Sequence, residues 1–197
     1  MFRDIDKSPN FPELEKKNRE LWDKEKSFQE SINRRKDAEA FIFNDGPPFA
    51  TGLPHYGHLL AGVIKDIVPR YWTMKGKKVE RRFGWDCHGL PIESLIQNEL
   101  KLSSVKDIKD YGVDKFNESC RASVLKYTTE WRNTVNKIGR WVDFENEYRT
   151  MDCDFMESVW WVFSQCYEKG LIYQDYRIQP YSPSLATPLS NFEVNQG

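Results

Sequence analysis

The 197-residue sequence has little of several features that would assign it to a class directly. It has only four cysteines, none paired as CxxC, which excludes a disulfide-stapled secreted fold. Its longest apolar runs are a few residues long, which excludes a transmembrane helix. The N-terminal stretch MFRDIDKSPNF has no apolar centre of the kind found in secretory signals. We therefore expect a cytoplasmic protein with reduced thiols and no membrane association.

An excess of charge of one sign is also missing. The 29 Lys and Arg residues nearly balance the 30 Asp and Glu residues, which gives a formal net charge of -1. This balance excludes a globally basic nucleic-acid binder but leaves room for a local basic face. Aromatic residues make up 14% of the chain, which argues against disorder. Length and composition together predict one globular domain or slightly more.

Local patterns in the first half predict an α/β fold. Ala40–Phe43 is a short apolar run closed by turn residues, which favours a buried strand. Gly57–Lys75 has helical apolar spacing and a stop at Gly76, while Pro69 inside it predicts a kink or a break. Val79–Phe83 predicts a second strand. Strand, helix and strand in this order make a βαβ unit, so we expect a parallel sheet with added helices.

Helices are predicted on both sides of this unit. Asn10 and Pro12 indicate the start of a surface helix. Pro91–Leu100 predicts a short helix, and the apolar spacing of Val113–Ile138 predicts a single helix of about seven turns. The predicted organisation has four parts: an N-terminal helical segment over 1–38, a βαβ half-domain over 39–100, a helical part over 101–170, and a strand and connector over 171–197.

The last predicted helix is Asp154–Lys169, capped by Asp152 or Asp154 and stopped by Gly170. Leu171–Tyr173 predicts a further strand, followed by a loop-like tail. The helix is expected to turn one apolar face towards the core, formed by Met156, Val159, Trp160, Phe163 and Tyr167.

Both strands of the predicted βαβ unit end in unusual sequence. The first loop, GPPFATGLPHYGH, contains His55 and His58, and the second, GWDCHG, contains His88. These are the three histidines of the chain. The carboxyl ends of parallel strands lie at one edge of a sheet, where open α/β folds bind ligands. The sequence therefore predicts an active site at that edge.

The residue types in the two loops suit a nucleotide and an amino acid. His55 and His58 flank Gly57 at a predicted helix start, where free N–H groups and the helix dipole favour a phosphate. Gly57 has no side chain and lets a flat nucleoside approach the backbone. Asp86 offers a negative charge suited to an ammonium group.

Three other interpretations of these residues are open. His55 and His58 could join Cys87 and His88 in a zinc site, the histidines could be purely structural, and Asp86 could cap a turn. The sequence has neither the phosphate-binding GxxxxGK[ST] pattern nor the dinucleotide pattern GxGxxG. From the residues alone, the prediction stops at a nucleotide-binding α/β enzyme.

A family resemblance sharpens this prediction. The stretch PHYGH, residues 54–58, resembles the HIGH signature of class I aminoacyl-tRNA synthetases, with Tyr56 at the variable second position. DGPPFATGLPHYGHLLAG and GWDCHGLPIE are similar to the isoleucine-specific branch of that family, and PYSPSLATPLSNFE resembles its approach to the editing insertion. The resemblance implies the first half of a Rossmann-like nucleotide-binding sheet, truncated before the editing insertion. No KMSKS motif occurs in the chain.

The resemblance also implies a reaction. ATP, accompanied by Mg²⁺, would activate L-isoleucine to isoleucyl-adenylate, and the isoleucyl group would pass to tRNA(Ile). The enzyme would be a monomer without a resident metal, and the 197-residue chain alone would be inactive. Two alternatives stay open: an inactive paralogue that acts as a nucleotide-binding or interaction module, and a related enzyme that charges valine.

Site residues follow from the same resemblance. His55 and His58 would be the catalytic residues, and Gly46, Pro47 and Asp86 would bind the amino acid. The residues implied for ATP are Pro48, Thr51, His55, Gly57 and His58.

Overall fold

A computed structural model describes residues 8–49 and 51–195. The helices are α1 (Phe11–Glu25), α2 (Ser27–Asn33), α3 (Tyr56–Met74), α4 (Leu90–Leu100), α5 (Val105–Tyr111), α6 (Val113–Val124), α7 (Thr128–Lys137), α8 (Cys153–Glu168) and α9 (Asn191–Val194). The strands are β1 (Arg82–Trp85), β2 (Asp143–Arg149), β3 (Tyr181–Ser182) and β4 (Thr187–Pro188). No helix in the described ranges has the length and apolar character needed to cross a membrane.

The parallel sheet that positions the site consists of β1 and β2. Gly84 pairs with Tyr148 and Trp85 with Arg149, after an irregularity that follows the pair Arg82–Asp143. The prediction of a parallel α/β fold is confirmed. The strand predicted at 79–83 is observed at Arg82–Trp85. It begins and ends later than predicted because its hydrogen-bonded pairing starts only where β2 lies beside it. β2 itself was not predicted.

The buried strand predicted for Ala40–Phe43 is wrong. Within the described residues this segment joins no ladder and forms one isolated bridge, between Ala40 and Lys78. The Phe41 N–H donates to the Lys78 carbonyl at 2.9 Å, but Ile42 is 76% exposed. A buried strand needs neighbours on both sides, and the described chain supplies a partial one on one side only.

Helix α3 begins and ends close to the predicted positions, and Gly76 follows its end with φ +89°. It runs without interruption through Pro69, so the predicted break is wrong, while the predicted kink stays a prediction. The Thr73 hydroxyl donates to the Pro69 carbonyl at 2.8 Å and adds a contact in the turn that follows the proline.

The single helix predicted over 113–138 is wrong, because the chain turns between α6 and α7. The Thr128 N–H donates to the Leu125 carbonyl at 3.3 Å, a short-range bond that ends one helix before the next begins. Both helices reach the same core, Phe116 and Val124 from α6 and Trp131 from α7. The turn therefore keeps the apolar spacing while it redirects the chain.

Helices α1 and α4 form where the sequence places them. Asn10 precedes α1, and its side-chain oxygen accepts the Glu13 N–H at 3.3 Å. α1 then packs on the body through Arg70, whose guanidinium lies 5.2 Å from the ring centre of Trp22 and 4.1 Å from that of Trp141. This stacking attaches a helix that has no buried residue along its described length.

Helix α8 has the predicted limits but not the predicted packing. Asp152 precedes it without a side-chain cap bond, and Gly170 follows its end with φ +66°. None of the residues of α8, all of which the structure describes, is buried, so the inward-facing apolar side is wrong. Trp160, for example, is 69% exposed. The strand at 171–173 is also wrong, since the described tail forms only the β3–β4 hairpin and α9.

The core lies against β1 and anchors both loops that follow the predicted strands. Phe83 stacks on Phe144 of β2 with ring centres 4.5 Å apart, and Trp85 lies 4.8 Å from Phe83. The same cluster contains Cys87 and residues of α4, α6 and α7. The division into four parts stays a prediction.

Candidate active site

The two histidines of the first loop build the start of α3. His55 is the N-cap residue, and its Nδ1 accepts the Gly57 N–H at 3.1 Å. His58 Nδ1 accepts the His55 N–H at 3.2 Å, and the two rings stack with centres 3.6 Å apart. A neutral imidazole that accepts at Nδ1 carries its proton at Nε2. Each ring therefore keeps one N–H donor that the helix cap does not use.

Trp131 of α7 supports this histidine pair from beneath. Its ring meets that of His58 edge-on at 4.6 Å, and its Nε1–H donates to the Gly52 carbonyl at 2.8 Å. Burial lowers the pKa of His58, and electrostatic interaction with His55 and Lys65 lowers that pKa further. His58 is therefore neutral near pH 7 and available as an Nε2–H donor.

The second loop meets the first at one point of the sheet edge. The Asp86 N–H donates to the Pro48 carbonyl at 2.9 Å, and Phe49 and Asp86 form a parallel bridge. The two predicted strand ends are thus adjacent, even though the first strand has no ladder. Pro48 and His58 also line one small cavity of about 50 Å³, which links the histidine pair to this junction.

Thr150, which follows β2, organises the second loop. Its buried hydroxyl oxygen accepts the Cys87 N–H at 2.9 Å and lies 3.1 Å from His88 Nδ1. The Thr150 hydroxyl donates to Asp86 Oδ1 at 3.4 Å. Because no backbone N–H of the described chain donates to the Asp86 carboxylate, the turn-cap interpretation does not describe its contacts. Among the described residues, no group donates a hydrogen bond to the second carboxylate oxygen.

Asp45, just before the Gly46-Pro47-Pro48 turn, is held by two cations. Its carboxylate is 2% exposed and lies between Lys65, 2.7 Å away, and the Arg140 guanidinium, which hydrogen-bonds it directly. Lys65 also donates to the Gly46 carbonyl at 2.6 Å. A buried carboxylate needs this compensation, and here it ties the first loop to α3 and to the segment between α7 and β2.

The zinc interpretation gains no support. Cys87 and His88 contact Thr150 rather than the histidine pair, and burial raises the pKa of the Cys87 thiol, which keeps it protonated. Across 8–49 and 51–195, no three His, Cys, Asp or Glu side chains gather where they could hold a metal ion. The described residues therefore offer no protein cage for Mg²⁺ either.

The remaining predicted site residues lie along the same loop. Gly57 is exposed at the helix start, and a side chain there would press on the His55 ring at 3.0 Å. Pro47 and Thr51 are half-buried and Gly46 is exposed. Their assignment to ATP or to the amino acid stays a prediction. A larger cavity of about 840 Å³, lined by residues 40–45 and the end of β2, contains neither histidine of the pair.

Sequence reasoning missed the residues that hold the site in place: Lys65, Trp131, Arg140, Tyr148 and Thr150. The sequence does single out Lys65, because it is a charged residue between two apolar pairs of a predicted helix. Trp131 belongs to the core, and Tyr148 lies in a strand whose sequence is mostly polar. Arg140 and Thr150 are buried polar residues outside the helices and strands.

A family of known proteins matches most of this chain. Residues 17–197 match the family model described as tRNA synthetases class I (I, L, M and V). The chain belongs to the class I tRNA synthetases. In this class I synthetase chain, the histidine pair and the loop before it lie at the start of helix α3.

Curated relatives of this synthetase chain are named isoleucine–tRNA ligase. That of Treponema denticola is 56% identical over 197 residues, 100% of this chain and 18% of the relative. That of Protochlamydia amoebophila is 58% identical over 187 residues, 95% of this chain and 18% of the relative. That of Bdellovibrio bacteriovorus is 59% identical over 177 residues, which are 90% of this chain and 17% of the relative. The chain thus spans under a fifth of their length.

A solved structure supports the synthetase fold. The chain resembles the LeuRS of a ternary complex described as Agrobacterium radiobacter K84 agnB2 LeuRS-tRNA-LeuAMS, with a TM-score of 0.55 and 22% identity. The match covers 90% of this chain and 20% of that one. At this identity the likeness establishes the fold.

Proposed function

We propose that this chain supplies the ATP-binding and amino-acid-binding first half of the catalytic site of an isoleucine–tRNA ligase. The observation that carries the proposal is the histidine cap of α3. Two stacked imidazoles commit Nδ1 to the backbone and keep Nε2–H free at a helix N-terminus, which suits the oxygens of a phosphate. The relatives named isoleucine–tRNA ligase support the choice of amino acid.

In this proposal the reaction needs positioning and charge stabilisation, without a covalent enzyme intermediate. The isoleucine carboxylate attacks the α-phosphate of ATP, and pyrophosphate leaves. His55 and His58 donate from Nε2 to phosphate oxygens as negative charge builds there, and Gly57 leaves room for the adenosine. Mg²⁺ enters bound to the triphosphate, where it neutralises phosphate charge. Pro48 and Thr51 belong to the ATP side of the loop.

The amino-acid side of the proposal rests on the junction between the two loops. Asp86 has its carboxylate oriented by Thr150 and would pair with the α-ammonium group, while Gly46 and Pro47 would line the pocket. The isoleucyl group then passes to tRNA(Ile) on the complete enzyme. The proposal includes a monomeric enzyme located in the cytoplasm.

The test is amino-acid-dependent exchange of pyrophosphate into ATP by the full-length synthetase that carries this sequence. Isoleucine, valine and leucine are assayed separately under the same conditions. We expect isoleucine to give the highest kcat/KM, by about a hundredfold over valine, the order that one methylene allows. Equal exchange with valine would contradict the proposed specificity, and no exchange with any of the three would contradict the enzymatic function.

Asp86→Asn is expected to raise the KM for isoleucine about tenfold to a hundredfold. The amide keeps the shape and the bond from Thr150 but removes the charge that pairs with the ammonium group. The KM for ATP should change less than about twofold. Asp110→Asn, in the exposed part of α5, makes the same chemical change away from the loops and is the matched control. An unaltered KM for isoleucine would remove Asp86 from amino-acid binding.

A further inference from the structure

Tyr148 crosses the sheet from β2 to the first loop. It pairs in register with Gly84 of β1, and its ring lies directly over that glycine. A Cβ placed on Gly84 would lie 2.2 Å from Tyr148 Cζ, far inside van der Waals contact. Gly84 is therefore the residue that lets the ring pass across β1.

The crossing ring delivers one hydroxyl group to the first loop. Tyr148 Oη donates to the Asp45 carbonyl at 2.9 Å, 103 residues away in sequence. Phe155 of α8 stacks parallel to the ring with centres 5.8 Å apart, which fixes its orientation. Burial raises the pKa of Tyr148, and the carboxylates of Asp45 and Asp86 raise that pKa further. The hydroxyl stays protonated and acts as a donor throughout the neutral range.

Asp45 is thus held at two different groups, its carboxylate and its backbone carbonyl. Lys65 and Arg140 hold its carboxylate, and Tyr148 holds its carbonyl, which belongs to the peptide joining Asp45 to Gly46. The carboxylate contacts locate the side chain. The carbonyl contact fixes the rotation of the peptide plane, and that rotation sets the direction in which the chain enters the Gly46-Pro47 turn.

We propose that Tyr148 is a positioning residue for the amino-acid side of the site, acting through its hydroxyl on the Asp45–Gly46 peptide. This inference rests on the proposed function, because Gly46 and Pro47 are the residues assigned there to isoleucine. Tyr148 touches no substrate in this arrangement. It holds the peptide in the orientation that isoleucine meets, so that binding does not have to order the loop.

The histidine part of the ATP side should not depend on Tyr148. His55 and His58 hold each other and the start of α3, and Trp131 supports His58 from α7. None of these contacts passes through Asp45 or Tyr148. Loss of the tyrosine hydroxyl is therefore expected to change the KM for isoleucine more than the KM for ATP. A general loss of stability would affect both.

The test is Tyr148→Phe in the full-length synthetase, which keeps the ring over Gly84 and removes only the hydroxyl. Two quantities are measured: the KM values for isoleucine and ATP in pyrophosphate exchange, and amide hydrogen exchange in the peptide covering residues 40–49. We expect the isoleucine KM to rise about three- to tenfold, the order of one lost hydrogen bond. The ATP KM and the melting temperature should stay unchanged, while exchange in 40–49 becomes faster.

Tyr167→Phe is the matched control, because it removes the same hydroxyl from an exposed tyrosine about 18 Å further along α8 than Phe155. If exchange in 40–49 is unchanged by Tyr148→Phe, Tyr148 does not hold the loop and the inference is overturned. Faster exchange with an unaltered isoleucine KM overturns the positioning role as well. A wild-type enzyme without isoleucine-dependent exchange would contradict the proposed function instead, and the amide exchange would still decide whether Tyr148 holds the peptide.

Discussion

Replacing His58 by alanine is expected to slow isoleucine-dependent pyrophosphate exchange about a hundredfold to a thousandfold. Removal of one preorganised donor to a developing negative charge has an effect of that order. His58 is preorganised because its Nδ1 accepts from His55 and its ring rests on Trp131. Since its lowered pKa keeps the ring neutral, Nε2–H is present at neutral pH. The KM for isoleucine should change less than about threefold.

His58→Asn separates the reaction from the helix cap. The asparagine side-chain oxygen can take the place of Nδ1 and accept the His55 N–H, whereas its NH₂ group lies closer to the backbone than Nε2 and does not reach that position. If Nε2–H meets the phosphate, His58→Asn is as slow as His58→Ala while its melting temperature stays near that of the wild type. An asparagine variant with wild-type exchange would show that His58 serves only to begin α3.

Asp45→Asn is expected to lower the free energy of unfolding by about 3 kcal/mol. The amide has nearly the same shape, but Lys65 and Arg140 would then face a neutral group in a place where the wild-type carboxylate is 2% exposed. Arg140 is itself buried, at 6% side-chain exposure, and cannot turn to water without disturbing the core. Urea unfolding measured by circular dichroism gives the change in free energy.

Asp37→Asn is the control for this prediction. Asp37 makes a 4.0 Å ion pair with Lys36 at a side-chain exposure of 88%. Exposed pairs of this kind contribute little, so its free energy of unfolding should change by less than about 0.5 kcal/mol. A similar small change for both variants would mean that the buried carboxylate is not needed to balance the two cations.

Local signals predicted the ends of several helices. Asn10 caps α1 through its side chain, and Gly76 and Gly170 follow α3 and α8 with the positive φ angles that favour glycine. These features depend on a few neighbouring residues, so a single sequence contains them. The parallel sheet and the meeting of the two loops at its edge also followed from the order of the elements.

Features that depend on distant residues could not be predicted. β2 has the sequence DFENEYR, in which Phe144 alone is buried, so no apolar alternation marks it as a strand. The turn after α6 keeps apolar residues at helical spacing on both sides of the break, and the pattern therefore reads as one helix. α8 shows a helical apolar pattern, but whether its apolar face is buried depends on elements elsewhere in the protein.

The candidate site also combines parts that the sequence predicts with parts that it does not. The loops and the histidines stand out because rare residues gather in two short motifs. The groups that orient them come from far along the chain, such as Tyr148 for Asp45 and Thr150 for Asp86. Nothing in the neighbouring sequence indicates this role for a tyrosine and a threonine in a polar segment. The sequence also does not distinguish Gly84 from a turn glycine, because the ring that covers it belongs to Tyr148, far along the chain.

The cap of α3 links helix nucleation to acid sensitivity. The first turn is the costly step in forming a helix, and here that turn is closed by the Nδ1 atoms of His55 and His58. An imidazole protonated at Nδ1 cannot accept a backbone N–H. Protonation of His58, whose pKa is lowered, would therefore release the His55 N–H and loosen both the first turn and the donor arrangement, so that folding of this turn and assembly of the site depend on the same hydrogen bond.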